Sequence, residues 1–361
     1  MHTRIFQNRR QQGFSLVELM IGMVLALIAV IVVMQIFQQS ERNKRTTTGS
    51  SAASMDGAIA VTDLQRDLRQ SGLGINNLMQ LGCSLTLPSG KTISNLGPVT
   101  INAPTTLVAA GDASTDTFLI VYGNGNSSPE GDRVITHPSA TNYTISTPTA
   151  FTVGYYVVAA QQTEPVGCAL LLDKVASIAA SAPGSALTTT TGSGTAADTL
   201  YDWGAAPRVI AYRVLNSRLQ QCDYMASDCG STGAASAWQD LVDGVISVRA
   251  LYGRDTSGIV DGGGVVDTYD QTSPTTACGW ARVLAVRLAM TLRSGQLETK
   301  AVTGTAAGLA PLPTWSGAAS APITVTANTN WANYRYKVYE SVIPLRNMSE
   351  NGAISSCNGI F

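Results

Sequence analysis

Histidine is nearly missing from this chain: only His2 and His137 occur in 361 residues. There is no G-x-S-x-G, no H-E-x-x-H and no G-x-x-x-x-G-K-[ST]. His137 precedes Pro138 in a loop-like stretch, with no evident acid or nucleophile partner, so it reads as a surface histidine. These absences weigh against an enzyme. Charge is scarce too. Charged residues make up 13% of the chain, where about 25% is usual for a soluble domain. Ala, Gly, Ser and Thr fill the gap, as in many exported β-rich proteins. Lys and Arg number 23 against 24 Asp and Glu, and without a basic surplus nucleic acid is not an expected partner. The chain has no C-x-x-C, and with so little histidine structural zinc is a poor fit to its six cysteines. No internal repeat is present.

What is there begins at the N-terminus. A short basic, polar leader ends in Arg9-Arg10-Gln11-Gln12-Gly13, and an apolar run from Phe14 to Phe37 follows at once, its only charge Glu18. Proline is absent from that run and Gly22 is its only glycine. As a helix its 24 residues span about 36 Å, against a hydrocarbon core of about 30 Å. A secretory signal is cut after its apolar segment, at small residues. Here Gln35-Ile36-Phe37-Gln38-Gln39 offers no such site, and the glycine sits before the run. Arg4, Arg9 and Arg10 precede the apolar run, so the positive-inside rule keeps the N-terminus cytoplasmic, although Arg42, Lys44 and Arg45 weaken the asymmetry.

Gly13-Phe14-Ser15-Leu16-Val17-Glu18-Leu19, with the apolar run behind it, resembles the class III signal of type IV pilins and pseudopilins. The resemblance implies that a prepilin peptidase cleaves between Gly13 and Phe14 and N-methylates Phe14. The subunit then waits in the inner membrane, its main domain periplasmic, before entering a filament. Cleavage removes three arginines, leaving 20 Lys and Arg against 24 Asp and Glu, a net charge of −4. Glu18 becomes the fifth residue of the mature chain. A carboxylate at bilayer depth costs about 2.5–3.5 kcal/mol on insertion scales. The resemblance supplies a partner for it, the Phe14 amine of a neighbouring subunit, and such a pair gains most in a low-dielectric surround. A plain anchor, with Glu18 snorkelling to the interface, is the alternative.

The rest reads as α+β. Residues 1–13 are the leader, 14–37 the transmembrane and filament-core helix, 38–72 its amphipathic continuation, and 73–361 a β-rich domain. Met55, Ile59, Leu64 and Leu68 recur at nearly helical spacing, with Asp63, Arg66, Asp67 and Arg69 on other faces. Thr46 to Ser51 is a weak helix former expected to bend or fray. Gly72 and Gly74 stop the helix. An amphipathic half needs a partner surface, and an antiparallel β-sheet packed on it is the economical one. Strands are expected at Thr117–Tyr122, Phe151–Ala159, Ala169–Val175, Arg208–Leu215, Val245–Tyr252, around Leu284–Leu292 and around Tyr334–Val342. Tyr155, Tyr156, Tyr334, Tyr336 and Tyr339 read as residues packing a sheet. Ser177–Thr199 and 303–330 read as exposed loops. Cys83, Cys168, Cys222, Cys229, Cys278 and Cys357 all follow the apolar run. In an oxidising compartment they make up to three disulfides, Cys222–Cys229 being the local candidate.

Three strings narrow the resemblance: Val248-Arg249-Ala250-Leu251-Tyr252-Gly253-Arg254-Asp255, then Trp280-Ala281-Arg282-Val283-Leu284-Ala285-Val286-Arg287-Leu288, then Val342-Ile343-Pro344-Leu345-Arg346-Asn347. Their order is similar to that of the PilW minor pilins, relatives of the J-type pseudopilins of type II secretion. Residues 75–240 bring no specific match. The resemblance implies a subunit that primes pilus assembly and sits at the tip. Its implied partners are other minor pilins, the major pilin, a tip adhesin and the inner-membrane assembly platform. A J-type pseudopilin and an adhesin-like binding module stay open as alternatives. No cofactor is expected. One acidic, Gly-rich loop carries Asp255, Asp261, Asp267 and Asp270 and reads first as a solvated hairpin loop, with weak calcium binding as its other reading.

Processing is the first test. A peptidase that must approach the backbone closely tolerates little at Gly13. Gly13→Val is expected to accumulate as full-length precursor in the membrane, measured by N-terminal sequencing. A variant whose N-terminus still begins at Phe14 rules the class III reading out.

Overall fold

The computed structural model describes residues 13, 15–126, 128–161, 168–181, 183–192, 199–257 and 264–348, with side-chain detail for all but 42, 45–54 and 56. Helix α1 is Leu16–Gln70. Strands β1 to β4 are Ser84–Thr86, Thr92–Ile93, Val99–Ile101 and Phe118–Tyr122. Strands β5 to β10 are Asp132–Ser139, Asn142–Ile145, Tyr156–Ala160, Ala169–Ser181, Gly184–Thr189 and Thr199–Gly204. Strands β11 to β13 are Arg208–Leu215, Arg218–Asp223 and Gln239–Asp243. Strands β14 to β17 are Val245–Arg254, Thr268–Asp270, Val283–Arg293 and Tyr336–Pro344, with the short helix α2, Ala277–Ala281, before β16. The chain divides into two compact units, 1–51 and 52–361.

The expected α+β build holds in outline: an apolar N-terminal helix is followed by a mostly β domain. Thr46–Ser51 is helical and does not fray, because propensity is a weak prior that neighbouring turns override. The helix ends where expected. Gly72 and Gly74 adopt φ of +86° and +77°, the left-handed region that glycine enters without strain.

The single packed sheet is a correction. Among the described residues the β-domain contains three sheets. Strands β8-β7-β10-β5-β6-β9 pair in that order and β9 returns to β8, so six antiparallel strands close into a barrel. Val134, Tyr143, Ile145, Val157, Val175, Leu187 and Leu200 fill it. The loop expected over Ser177–Thr199 is replaced, where described, by the end of β8, by β9 and by the first residue of β10. The stretch is rich in Ala, Ser and Thr because one face looks out. On β9 the buried positions are Ser185, Leu187 and Thr189, and a small barrel leaves room for few large side chains inside. Strand β1 adds to β8 in parallel, Ser84 opposite Ala169, directly after the Cys83–Cys168 disulfide.

The second sheet, β13-β12-β11-β4-β3, is antiparallel, and its strands β4 and β11 are buried on both faces. Phe118, Ile120, Tyr212 and Val214 join the core that holds α1, while Leu119, Val121, Val209 and Ala211 pack toward the Trp203 side. That is why Phe118–Tyr122 is a continuous apolar run without alternation. The Cys222–Cys229 disulfide lies beside it. Cys278 is also disulfide-bonded, and Cys357 lies outside the described residues.

The third sheet, β15-β14-β16-β17, is antiparallel and completes the cradle for the helix. On β16 the sequence pattern assigns Leu284 to the apolar face. A register shift opposite Gly253–Arg254 displaces it, and Val283 joins Val286, Leu288, Met290 and Leu292 instead. The other face is covered too. Trp315 and Ala321 from the irregular 303–330 stretch pack on Leu251 and Ala289, and Trp315 donates its indole N–H to the Ala321 carbonyl at 2.6 Å.

In the second unit the helix buries Gly57, Ala60, Leu64, Asp67 and Leu68, and Ser71, just past its end, is buried too. Met55 and Ile59 are exposed, so the true stripe is shifted from the expected one and takes in Asp67. Its first member is a glycine for a steric reason. A Cβ on Gly57 would stand 2.7 Å from Tyr339 Cε2 and 3.0 Å from Leu292 Cδ1. Gly57→Leu is therefore expected to lower the urea midpoint of the detergent-solubilised chain by an amount equivalent to about 1–3 kcal/mol. Ile59→Leu, at the exposed neighbour, serves as the control and is expected to change little. Equal midpoints for both variants would show that the close approach at Gly57 does not hold in solution.

Candidate functional site

The sequence-predicted assembly site lies at the start of α1. Leu19 N–H donates to the Ser15 carbonyl at 3.1 Å, closing the first turn, and Glu18 falls inside it, where a carboxylate meets the positive end of the helix dipole. Leu16–Glu41 is 26 residues, long and apolar enough to cross a bilayer. None of it is buried: Leu16, Ile21, Val24, Ile28, Ile31 and Phe37 are each more than half exposed. Glu18 is exposed as well, and among the described residues it makes no ion pair. Nothing lies within 4 Å of a Cβ built on Gly13 or on Gly22. The fold itself therefore places no demand for glycine at either position. Phe14 lies outside the described residues, so its distance to Glu18 is not defined.

In the second unit a carboxylate that sequence reasoning placed off the apolar face is buried. Asp67 is 2% exposed. It accepts hydrogen bonds from the hydroxyls of Tyr212, at 2.6 Å, and Tyr122, at 3.1 Å. Arg66 Nε stands 3.5 Å from it at the rim. Burial and the adjacent Asp67 charge push the Tyr122 phenol up to about 12, and the Tyr212 phenol higher still for the same two reasons. The signal available in sequence was the spacing of Asp67 from Leu64 and Ser71 on the buried stripe.

The end of the helix is sealed from far along the chain. Asn347 Nδ2 donates to the carbonyls of Gln70, at 3.0 Å, and Ser71, at 3.1 Å. These are acceptors that a helix end leaves without intrahelical donors. Met348 sits over Gly72, where a Cβ would come within 2.8 Å of its sulfur. The other two strings that carried the resemblance are scaffold as well. Arg249 pairs with the buried Asp116 at 2.7 Å. Burial pushes the Asp116 carboxyl up, against the pull of Arg249 and of hydrogen bonds from Asn102, Ala250 and Gln271. Trp280 crosses Tyr252 edge to face, with ring centroids 5.9 Å apart, and donates to Asn95 Oδ1 at 2.8 Å.

The acidic loop is held by its own turns. Asp255 accepts from Ser257 N, at 3.0 Å, and Gly264 N, at 2.5 Å. Asp267 accepts from Thr256 N at 3.0 Å, and Asp270 pairs with Arg254 at 2.8 Å. Asp261 lies outside the described residues. Among the described residues no three metal-capable side chains come together. His137 stacks on Tyr143, with ring centroids 4.4 Å apart. Arg293 lies over the Tyr334 ring and Lys337 over the Tyr339 ring, while Tyr336 donates to the Trp331 carbonyl.

One bare, bilayer-length helix near the N-terminus and a mostly β domain that clasps the helix's second half define the class. Residues 8–34 match the prokaryotic N-terminal methylation motif, and residues 212–347 match the family model of type IV pilus-assembly protein W. These two matches support a PilW-like minor pilin of the type IV pilus, and they point to a structural rather than a catalytic protein. The barrel, built from residues 132–204, falls between the matched segments. No curated protein and no solved structure matches the chain.

The Asp67 cluster makes a prediction with a definite sign. A phenol whose pKa is higher folded than unfolded keeps its proton while the unfolded chain loses its own, so stability falls as pH rises past the unfolded value. For Tyr122 the window runs from 10.0 to about 12. Replacing both tyrosines by phenylalanine strips Asp67 of two donors and is expected to lower stability at pH 7 by about 1–3 kcal/mol. The gap between this variant and the parent should narrow between pH 10 and pH 12, measured by urea unfolding. A gap constant with pH would place the ionisation of both phenols elsewhere.

Proposed function

We propose that this protein is a minor pilin that primes type IV pilus assembly from the inner membrane and takes its place at the filament tip. The observation that carries the reading is the coincidence, on one helix, of the methylation motif at residues 8–34 with an apolar segment bare on all sides. A prepilin peptidase would cut after Gly13 and methylate Phe14. The apolar helix would hold the subunit in the inner membrane, the β-domain on the periplasmic side. Assembly would exchange lipid for neighbouring helices: those of other minor pilins and the major pilin, under a tip adhesin and above the assembly platform. Glu18 would then meet the Phe14 amine of a neighbouring subunit. Both charges are desolvated by that step, and pairing offsets the penalty that each alone would carry.

The barrel supports a second role for the same subunit, as an adhesin-like binding module. It lies outside both matched segments, and it has a core of its own. A filament helix needs none of it for docking.

The test of the docking role is Glu18→Ala. Removing a charge from bilayer depth makes insertion easier, so the variant should insert, be cleaved and stay in the inner membrane. Its amount in sheared pili relative to membranes should fall, and pilus number should fall with it. Normal piliation together with normal incorporation of the variant would leave Glu18 a snorkelling bystander.

A further inference from the structure

Two disulfides, Cys83–Cys168 and Cys222–Cys229, use four of the chain's six cysteines. Cys278, on α2, is disulfide-bonded as well, and no cysteine among the described residues is free. A sulfur makes one such bond, so the four paired cysteines are closed to it, and Cys357 is the one cysteine left in the sequence. The fold brings the two segments near each other. Ala277, Trp280 and Ala281 of α2 lie in the core that holds α1, and Met348, the last described residue, lies in the same core. A Cβ on Gly72 would stand 2.8 Å from Met348 Sδ and 3.5 Å from Pro98 Cβ, and one on Gly97 would stand 2.5 Å from Trp280 Cε2. Met348 and α2 are therefore both reached from one dipeptide, Gly97-Pro98. Cys357 is nine positions past Met348, a reach of up to about 30 Å, ample for a neighbour on the same core.

We propose that Cys278 and Cys357 form a third disulfide, and that this bond clamps the seal over the end of α1. The inference rests on the periplasmic placement proposed above, which supplies an oxidising surround. As the S–S bond forms, the two thiols lose two protons and two electrons. Thiol–disulfide exchange passes the electrons to the disulfide of a protein oxidant, which leaves as a dithiol. The bond closes a loop of chain that runs from α2 through β16 and β17. Asn347 and Met348, which cover the end of α1, fall inside that loop. The seal needs such a tie because β17 is an edge strand, paired only with β16 among the described residues. Past its end the backbone is held by few bonds: Leu345 N–H to the Leu284 carbonyl at 2.8 Å and Met348 N–H to the Leu345 carbonyl at 2.9 Å. An end held so lightly opens by local unfolding. A cross-link beyond it removes much of the freedom that the open state would gain.

The experiment uses the full chain, extracted from membranes in detergent with free thiols alkylated at once. Trypsin cuts after Arg254, Arg282 and Arg346 place Cys278 in 255–282 and Cys357 in 347–361, with no other cysteine in either peptide. Without reductant the two should appear as one linked species by mass spectrometry, and reductant should separate them. Hydrogen exchange then reads the clamp. In a variant carrying both Cys278→Ser and Cys357→Ser, the Leu345 and Met348 amides should exchange about tenfold faster or more, while amides of the barrel strands keep the parent rate. If that variant fails to fold, Cys357→Ser alone, which leaves α2 unaltered, takes its place. Alkylated Cys278 and Cys357 beside two intact disulfides overturn the proposal and leave the periplasmic placement standing. So does unchanged exchange at Leu345 and Met348. Six alkylated cysteines overturn the proposal and the placement together.

Discussion

The β-domain is arranged around one demand: the second half of α1 must lose its apolar stripe to a surface wide enough to take it. Leu64 and Leu68 are fully buried, and burying side chains of that size stabilises by about 1.5–3 kcal/mol each. Two sheets contribute to that surface, through Phe118, Ile120 and Tyr212 from one and Val248, Val286 and Leu288 from the other. Close approach then sets the remaining choices. Gly57 lets the helix come down on Leu292 and Tyr339. Asp67 is drawn into the interface with the helix and is tolerated because two tyrosine hydroxyls reach it. Asn347 meets carbonyls at the helix end. Each of these polar contacts is there because apolar burial would otherwise leave a group without a partner.

How much of this could be read beforehand follows from how local each signal is. Helix start, apolar length and the stop at Gly72 and Gly74 depend on adjacent residues, and they were legible. So were Phe118–Tyr122 and Arg208–Leu215, where β-branched and aromatic residues run together. The barrel was not. Its strand β9 is Gly-Ser-Ala-Leu-Thr-Thr, a composition that serves a loop as well as a strand until a second strand sits beside it. Closure between β9 and β8 is a property of six strands together, with no trace in any one of them. Leu284 shows the same limit at smaller scale, since an alternation read along one strand cannot register a bulge set by its neighbour.

The three strings that suggested the family turn out to be packing, not chemistry. Arg249 holds Asp116, Trp280 packs on Tyr252, and Asn347 serves the helix end. Family likeness in this region therefore records how a helix is clasped. It says little about what the outer surfaces touch. The barrel, which lies between the matched regions and has a core of its own, is free of that constraint. Individual function has room to reside there.

Two carboxylates on one helix make the final contrast. Asp67 and Glu18 lie on the same element, α1, yet their needs are met differently. Asp67 is buried by the chain's own fold and finds its donors there, so its requirement ends with folding. Glu18 lies in a segment with no covering surface in its own unit, and among the described residues it has no ion pair. Folding leaves its requirement open. A bilayer deepens that requirement, because an unpaired carboxylate is disfavoured there. In the proposed assembly a neighbouring helix with a free amine at the right height would remove it, turning a local destabilisation of the lone subunit into a bias toward association. The same logic applies to the apolar surface around Glu18, exposed from Leu16 to Phe37. Lipid covers that surface as well as other helices do, so greasiness alone cannot select the filament over the membrane. In the proposed assembly the charge would distinguish the two environments, and a single glutamate in 24 apolar-run residues would do so because the surround is so poor in alternatives.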